Sequence, residues 1–304
     1  MSERPDRLRR CELSVPGSSE KMMAKSAGLD VDLVFLDLED AVAENVKVQS
    51  RGLVVDALNT HDWGTKTRAV RINDLETRYA YGDVIEVVKG ARENLDVIII
   101  PKVKRAADVQ WVDTLLSQIE KDIGLEKRIG IEALVEEVEA MMYIDQIAAS
   151  TPRLEALIFG MGDYSASQGV ALDSTFSAPD YPGDIWHYAR NRLIIACRVN
   201  GIDPIDGPYA NFRDGAGYRE EATRGKTLGC VGKWAIHPAQ VEIAHDVFSP
   251  DAQEVADARK LSAAFAEAEE QGLASVNVDG VMVDVASIRI LRGLIEKAER
   301  MGIE

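Results

Sequence analysis

Histidine and cysteine are scarce in this chain, and each shortage removes a class of chemistry. Of the four histidines, only His237 stands at the end of an apolar run, which argues against a Ser-His-Asp triad or a zinc centre. The three cysteines (Cys11, Cys197 and Cys230) are odd in number, far apart and without a CxxC pair. They read as reduced thiols and make the cytoplasm the expected compartment. HExxH and GxSxG are absent, and Gly160-Met161-Gly162 is not completed to GxGxxG. Positive charge is also short: 35 Lys and Arg face 51 Asp and Glu, for a net charge of −16. That balance argues against a nucleic-acid partner, which needs a basic field, although a small anion in a local basic pocket stays open. No run approaches the roughly 18 apolar residues of a membrane span. The opening MSERPDRLRRC lacks the apolar core of a signal peptide.

What is present is an ordinary globular composition, 46% hydrophobic and 28% charged over 304 residues. Eight short runs of strand character recur, at 11–15, 33–38, 68–72, 97–100, 129–135, 156–159, 203–205 and 230–236. Stretches of helical periodicity separate them, such as 107–123 and 137–149. Alternating strands and helices imply a parallel sheet. Eight repeats predict an α/β protein with a (β/α)8 TIM barrel at 1–248, a doubly wound open sheet being the alternative. The remainder, 249–304, predicts an appendage: an Ala/Glu-rich helix at 251–271, a strand-like unit at 275–283 and a final amphipathic helix. Two loops rich in Gly, Pro, Ser or Asp, 171–183 and 207–217, have the composition of lids.

The ends of the eight runs carry Ser14 and Gly17, Glu39 and Asp40, Arg71 and Asn73, Lys102, Glu136, Asp163, Asp206 and His237. In a barrel these all fall on one rim, where active sites form. Glu136 and Asp163 are 27 residues apart (163 − 136), about one βαβ repeat, so the two acids can sit side by side. Adjacent carboxylates repel unless they share a proton or a cation. An oxygen-only pair suits Mg²⁺, which takes one or two carboxylates and leaves its other positions to water or substrate. Within the fifth run, Glu132, Leu134 and Glu136 share a face. Glu136 is the first acid past the apolar run, Glu132 reads as a paired interior charge, and Glu137 as an early helix residue. The plainer alternative for Glu136 and Asp163 is a helix cap. Arg71 offers a planar fork to a substrate carboxylate, or else a rim ion pair to Glu39 or Asp40. Lys102 ends an apolar run where a Schiff-base aldolase would place its amine, a metal-free rival to the carboxylate pair. The segment from Arg9 to Lys21, with Lys25 one turn on, concentrates positive charge before a helix. It is either an anion site or a solvated basic start.

Together, Ser14-Val-Pro-Gly-Ser18, Leu36-Asp-Leu-Glu-Asp-Ala-Val42, Val70-Arg-Ile-Asn73, Ile100-Pro-Lys-Val103, Glu136, Gly162-Asp163 and Gly232-Lys-Trp-Ala-Ile-His-Pro238 resemble the HpcH/HpaI aldolase/citrate lyase β-subunit family. The resemblance covers nearly the whole chain, with the motifs in order. It is strongest to malyl-CoA and β-methylmalyl-CoA lyases, through 229–238 and 283–288. It implies a (β/α)8 barrel with Mg²⁺ (or Mn²⁺) on Glu136 and Asp163. Arg71 and the Gly162–Asp163 backbone would bind the glyoxylate half of the substrate. Coenzyme A would lie across Ser14, Ser19 and Lys25 and against Trp234, Ile236 and His237. One departure falls at Ser19, where these lyases often carry an arginine. The family's C-terminal appendage reaches over an adjacent subunit and supplies an aspartate, matched here by Asp284, which implies a homotrimer or homohexamer.

The implied reaction is a reversible Claisen-type cleavage of malyl-, β-methylmalyl- or citramalyl-CoA to glyoxylate or pyruvate plus acetyl- or propionyl-CoA. Asp284 would be the acid/base, and Glu39, Asp40 and Lys102 would support the metal waters or Arg71. A malyl-CoA thioesterase on the same scaffold and a non-catalytic acyl-CoA-binding subunit are the alternatives.

Overall fold

The computed structural model describes residues 4–173 and 181–303, so residues 174–180 of the expected lid at 171–183 lie outside the described residues. The chain falls into two compact units, residues 1–245 and 246–304.

In the first unit, eight parallel strands follow one another in sequence order and close on themselves. The chain runs β1 (Cys11–Pro16), α1 (Glu20–Ala27), β2 (Leu33–Asp37), α2 (Lys47–Thr60), β3 (Thr67–Arg71), α3 (Ala80–Ala91), β4 (Val97–Ile100) and α4 (Ala106–Ile123). It continues through β5 (Gly130–Val135), α5 (Val138–Met142), α6 (Ile144–Ala148), β6 (Leu154–Phe159), α7 (Met161–Gln168) and α8 (His187–Asn200). Then come β7 (Asp203–Asp206), α9 (Gly215–Leu228), β8 (Gly232–Ala235) and α10 (Val241–Phe248). Cys11 pairs with Lys233 and Glu12 with Trp234, which closes the ring. A barrel strand is covered on both faces, by the interior and by a helix layer. That is why β4 is an unbroken Val-Ile-Ile-Ile run, buried throughout, instead of an alternating pattern.

Side chains fill the interior. Leu33, Phe35, Ala69, Val97, Ile99, Leu134, Ala156, Ile158, Ile205 and Trp234 form one buried cluster. Beneath it, towards the strand N-termini, Arg9 donates to Glu132 Oε1 at 2.8 Å, to Glu155 Oε2 at 2.5 Å and to Asp203 Oδ2 at 3.0 Å. Glu132 is therefore a paired interior charge. Glu12 is fully buried beside this cluster, and burial together with the Glu132 carboxylate pushes its carboxyl well above the usual range.

The single helix expected at 137–149 is two, α5 and α6. The Tyr143 amide closes α5 on the Ala140 carbonyl at 3.1 Å, and Tyr143 itself leaves helical geometry (φ −115°, ψ 14°). The apolar face carries on across that break, with Met141, Ile144, Ile147 and Ala148 buried. Periodicity registers the face and not the one residue that departs from the helix.

The second unit comprises α11 (Ala252–Glu270), an antiparallel hairpin of β9 (Ser275–Val278) and β10 (Val281–Asp284), and α12 (Val285–Arg300). Asp279 and Gly280, both at positive φ (51° and 87°), make the turn. This is the left-handed pair that a two-residue hairpin loop requires.

Candidate active site

The C-terminal rim of the barrel brings acids and bases from five successive strands, β2 to β6, together. Glu136, the first residue past β5, is 2% exposed, and its Oε1 accepts the Lys102 backbone N–H at 2.8 Å. The end of β6 passes directly over it: a Cβ on Gly160 would lie 2.5 Å from both Cβ and Oε2 of Glu136. Asp163 is exposed in the first turn of α7, where the helix dipole favours an anion. Burial pushes the Glu136 carboxyl up to about 8, and the nearby charges of Asp163 and Glu39 add to the effect against Arg71 and the Lys102 amide. Neither acid is a helix cap. Glu137 precedes α5 and Gly160 precedes α7, so the capping alternative is set aside for both.

Arg71 ends β3 and is buried. Its Nε donates to Asp37 Oδ1 at 2.8 Å and its Nη2 to Asp37 Oδ2 at 2.6 Å, a two-point fork, while Nη1 lies 3.1 Å from Glu39 Oε2. The guanidinium carbon stands 5.0 Å from the centroid of the Trp234 ring, which packs edge-on to Phe35 at 5.1 Å. Sequence reasoning anticipated the ion pair with Glu39 and missed Asp37, which sits inside the quoted Leu36-Asp-Leu-Glu-Asp motif. The available signal was parity: Asp37 and Glu39 are two residues apart at a strand end and so share a side.

Lys102 bonds through Nζ to Glu39 and lies 3.5 Å from Asp40 Oδ2. Its φ is +49°, a left-handed turn that carries the chain from β4 across the rim. Burial works against its charge, but Glu39 and Asp40 together hold the ammonium well above its ordinary value. An amine held protonated is a poor nucleophile, so the Schiff-base alternative loses its chemical support. Glu39 thus joins Arg71 to Lys102, and the Lys102 amide joins that pair to Glu136.

Ser14 pairs in register with Phe35 and shares its inward face; Gly162 is exposed, with open space around its Cα. Ser19 caps α1, accepting the Met22 amide at 3.4 Å, and Lys25 stands exposed in the last turn of the same helix. Ile236 and His237 are exposed on the rim, with His237 stacked on Phe212 at 4.8 Å. Trp234 is only 6% exposed. Its ring packs in the interior and floors Arg71. Asp206 is likewise no open rim group, because Arg190 Nε and Lys233 Nζ, both fully buried, each donate to it at 2.7 Å. Asp284, in the second unit, caps α12 through Oδ1, accepting Ser287 N at 2.9 Å and Ser287 Oγ at 3.0 Å. The backbone bond from Ser287 holds its carboxyl below the usual range. Among the described residues, no group of three or more His, Cys, Asp or Glu is placed to hold a metal, so a cation on this rim would rest on the Glu136–Asp163 pair.

A closed parallel barrel with ionisable groups gathered at its strand C-termini is the architecture of a (β/α)8 enzyme. The family model for HpcH/HpaI aldolase/citrate lyase matches residues 10–238, and the chain belongs to that family. It is 41% identical over 305 residues to the L-malyl-CoA/beta-methylmalyl-CoA lyase of Rhodobacter capsulatus, covering 97% of this chain and 96% of that one. It is 37% identical over 293 residues to a (3S)-malyl-CoA thioesterase of Cereibacter sphaeroides, covering 96% and 95%. Among solved structures, a citrate lyase from Burkholderia xenovorans superposes with a TM-score of 0.86 at 24% identity, over 97% of this chain and 92% of the other. The citrate lyase β-subunit of Mycobacterium tuberculosis, complexed with oxaloacetate and magnesium, superposes at 0.64 with 26% identity, over 79% and 97%.

Proposed function

We propose that the protein is a Mg²⁺-dependent carbon–carbon lyase that reversibly cleaves a 3-hydroxyacyl-CoA of the malyl-CoA type to a 2-oxo acid and a shorter acyl-CoA. One observation carries the reading: a buried carboxylate, Glu136, lies within reach of the charge of a second acid, Asp163, beside an arginine whose guanidinium is held rigidly on the same rim. The pair fits a hard divalent cation. Both donors are oxygens, and a positive charge there would offset the burial and like-charge repulsion that disfavour the Glu136 anion. Glu136 and Asp163 would hold Mg²⁺, which supplies Lewis-acid polarisation of the substrate's hydroxyl and carbonyl oxygens.

The chain's own residues do the rest. Arg71 binds the carboxylate of the oxo-acid half through its terminal N–H groups. The exposed backbone at Gly162 and Asp163 lies open to the same half. Glu39 and Asp40 keep Lys102 charged, so the rim next to the cleaved bond carries a cation as negative charge develops. In condensation, Asp284 takes the proton from the acyl-CoA carbon next to the thioester; in cleavage it returns that proton. Its capping bonds fall on Oδ1 and keep it ionised, and Oδ2 carries the transfer. The CoA moiety lies along Ser14, Ser19 and Lys25 and against Ile236 and His237, with Trp234 contributing only from beneath. The second unit supplies Asp284 across an oligomer, a trimer or hexamer.

The identity to the malyl-CoA lyases favours lyase over hydrolase, and a product assay decides between them. With Mg²⁺ and malyl-, β-methylmalyl-, citramalyl- and citryl-CoA in turn, the expected products are a 2-oxo acid and an acyl-CoA. Malate with free CoA would instead assign a thioesterase, and no turnover would assign an acyl-CoA-binding role.

A further inference from the structure

Arg71 is over-determined. Asp37 is the last residue of β2, fully buried, and pairs in register with Arg71, the last residue of β3. Both Asp37 oxygens take a guanidinium N–H, and the same two oxygens accept the backbone amides of Glu39 at 2.9 Å and Ala41 at 3.2 Å. The amide bonds lock the carboxylate, and the carboxylate locks the arginine. Below, Trp234 and Phe35 hold the guanidinium at 5.0 and 6.0 Å.

The donor count shows what the arrangement leaves over. Arg71 has five N–H bonds. Two go to Asp37 and one faces Glu39, so one remains on each of Nη1 and Nη2. Two N–H groups on adjacent terminal nitrogens form the fork that matches a planar carboxylate.

We propose that Asp37 is a positioning residue: it fixes the rotation of the Arg71 guanidinium on its aromatic floor so that a single two-pronged edge faces the carboxylate of a 2-oxo acid. The inference rests on the lyase reading, and it assigns selection for substrates bearing that carboxylate to a residue that does not touch them. Without Asp37, Arg71 keeps its charge but samples other orientations, so recognition of the small acid is lost ahead of recognition of the acyl-CoA.

The test compares wild type with Asp37→Asn, Asp37→Glu and Arg71→Lys. A stability control is Glu120→Gln, which breaks the buried Arg153 pair (2.6 and 2.9 Å) at the opposite end of the barrel. Steady-state kinetics run in the condensation direction with glyoxylate, acetyl-CoA and Mg²⁺, and calorimetry measures glyoxylate binding without acyl-CoA. Asp37→Asn is expected to raise KM for glyoxylate about tenfold or more while KM for acetyl-CoA stays within about twofold. Asp37→Glu recovers part of the loss, and Glu120→Gln lowers Tm without moving either KM. If Asp37→Asn does not fold, Asp37→Glu carries the test by the same two KM values, with glyoxylate again the affected one. Unchanged glyoxylate KM in the folded variants, or a parallel rise in both KM values, overturns the proposal. If wild type neither turns over nor binds glyoxylate, the lyase reading fails. If Arg71→Lys loses glyoxylate binding and Asp37→Asn keeps it, the reading stands and the positioning role of Asp37 falls.

Discussion

Gly160→Ala isolates the packing that aims Glu136. The glycine has a negative φ close to inverse γ-turn geometry (φ −86°, ψ 77°), which alanine can adopt, so the effect comes chiefly from the added methyl. That methyl would sit 2.5 Å from both Cβ and Oε2 of Glu136. Normal contact begins near 3.4 Å, so the glutamate or the β6 end must give by about 0.9 Å. Glu136 is held on its other side by the Lys102 amide, which makes the carboxylate the group that moves. Overpacking of this kind costs about 1–3 kcal/mol, and for a unit of this size each kcal/mol lowers Tm by about 2–4 °C. A displacement near 1 Å at the reacting centre costs on the order of 10²-fold in rate. The variant should therefore fold with a modestly lower Tm, lose about 10²-fold in kcat/KM for malyl-CoA, and bind Mg²⁺ more weakly in a thermal-shift titration. Gly52→Ala is the control: it lies on the exposed face of α2 with nothing within 4 Å of the new methyl, and should raise stability by about 0.5–1 kcal/mol. Wild-type turnover and Mg²⁺ response in Gly160→Ala would refute the claim that this glycine sets the carboxylate's position.

Glu136→Gln keeps the shape and removes the charge. The stabilisation that wild type gains from Mg²⁺, about 2.7 kcal/mol at a hundredfold excess over Kd, should vanish, and a persisting thermal shift would place the cation elsewhere. Because Lys102 is held protonated by Glu39, borohydride with glyoxylate or pyruvate should trap no adduct by mass spectrometry, while EDTA should stop turnover; a trapped Lys102 adduct would reverse that conclusion. Asp206→Ala strands the fully buried Arg190 and Lys233 and should cost about 3–5 kcal/mol in urea unfolding; a loss under about 1 kcal/mol would contradict the pairing. Cys11, Cys197 and Cys230 are all buried, and burial pushes each thiol upward. A thiol-colour reagent should therefore label none in the native protein and all three in denaturant; rapid native labelling would refute the burial.

Much of the barrel was legible because its strands are short apolar runs bounded by polar turns, and each predicted run overlaps an observed strand. The acids past the ends of β5 and β6 were legible for a related reason: an acid inside a buried strand needs a partner charge, as Glu132 has in Arg9, so an acid just past an apolar run reads as a rim group. Glu136 and Asp163 could thus be named from sequence, and so could Arg71 at the end of β3. The two helices of 246–304 and a strand-like unit between them could also be anticipated, since their periodicities are local; that the unit is a hairpin turning at Asp279 and Gly280 was not.

Only the tertiary structure decided which charges answer which. Asp37 and Arg71 are 34 residues apart and Glu39 and Lys102 are 63 apart. No local pattern encodes such pairs, because parallel strands meet through crossovers whose register is set by packing. The same holds for Trp234, whose motif suggests a surface contact and whose ring the closure of β8 on β1 turns into the floor beneath Arg71. Sequence determined the inventory of groups on the rim, through burial and periodicity. Structure determined which are committed to one another and which are left to meet a substrate, because that depends on distances the chain acquires only when the barrel closes.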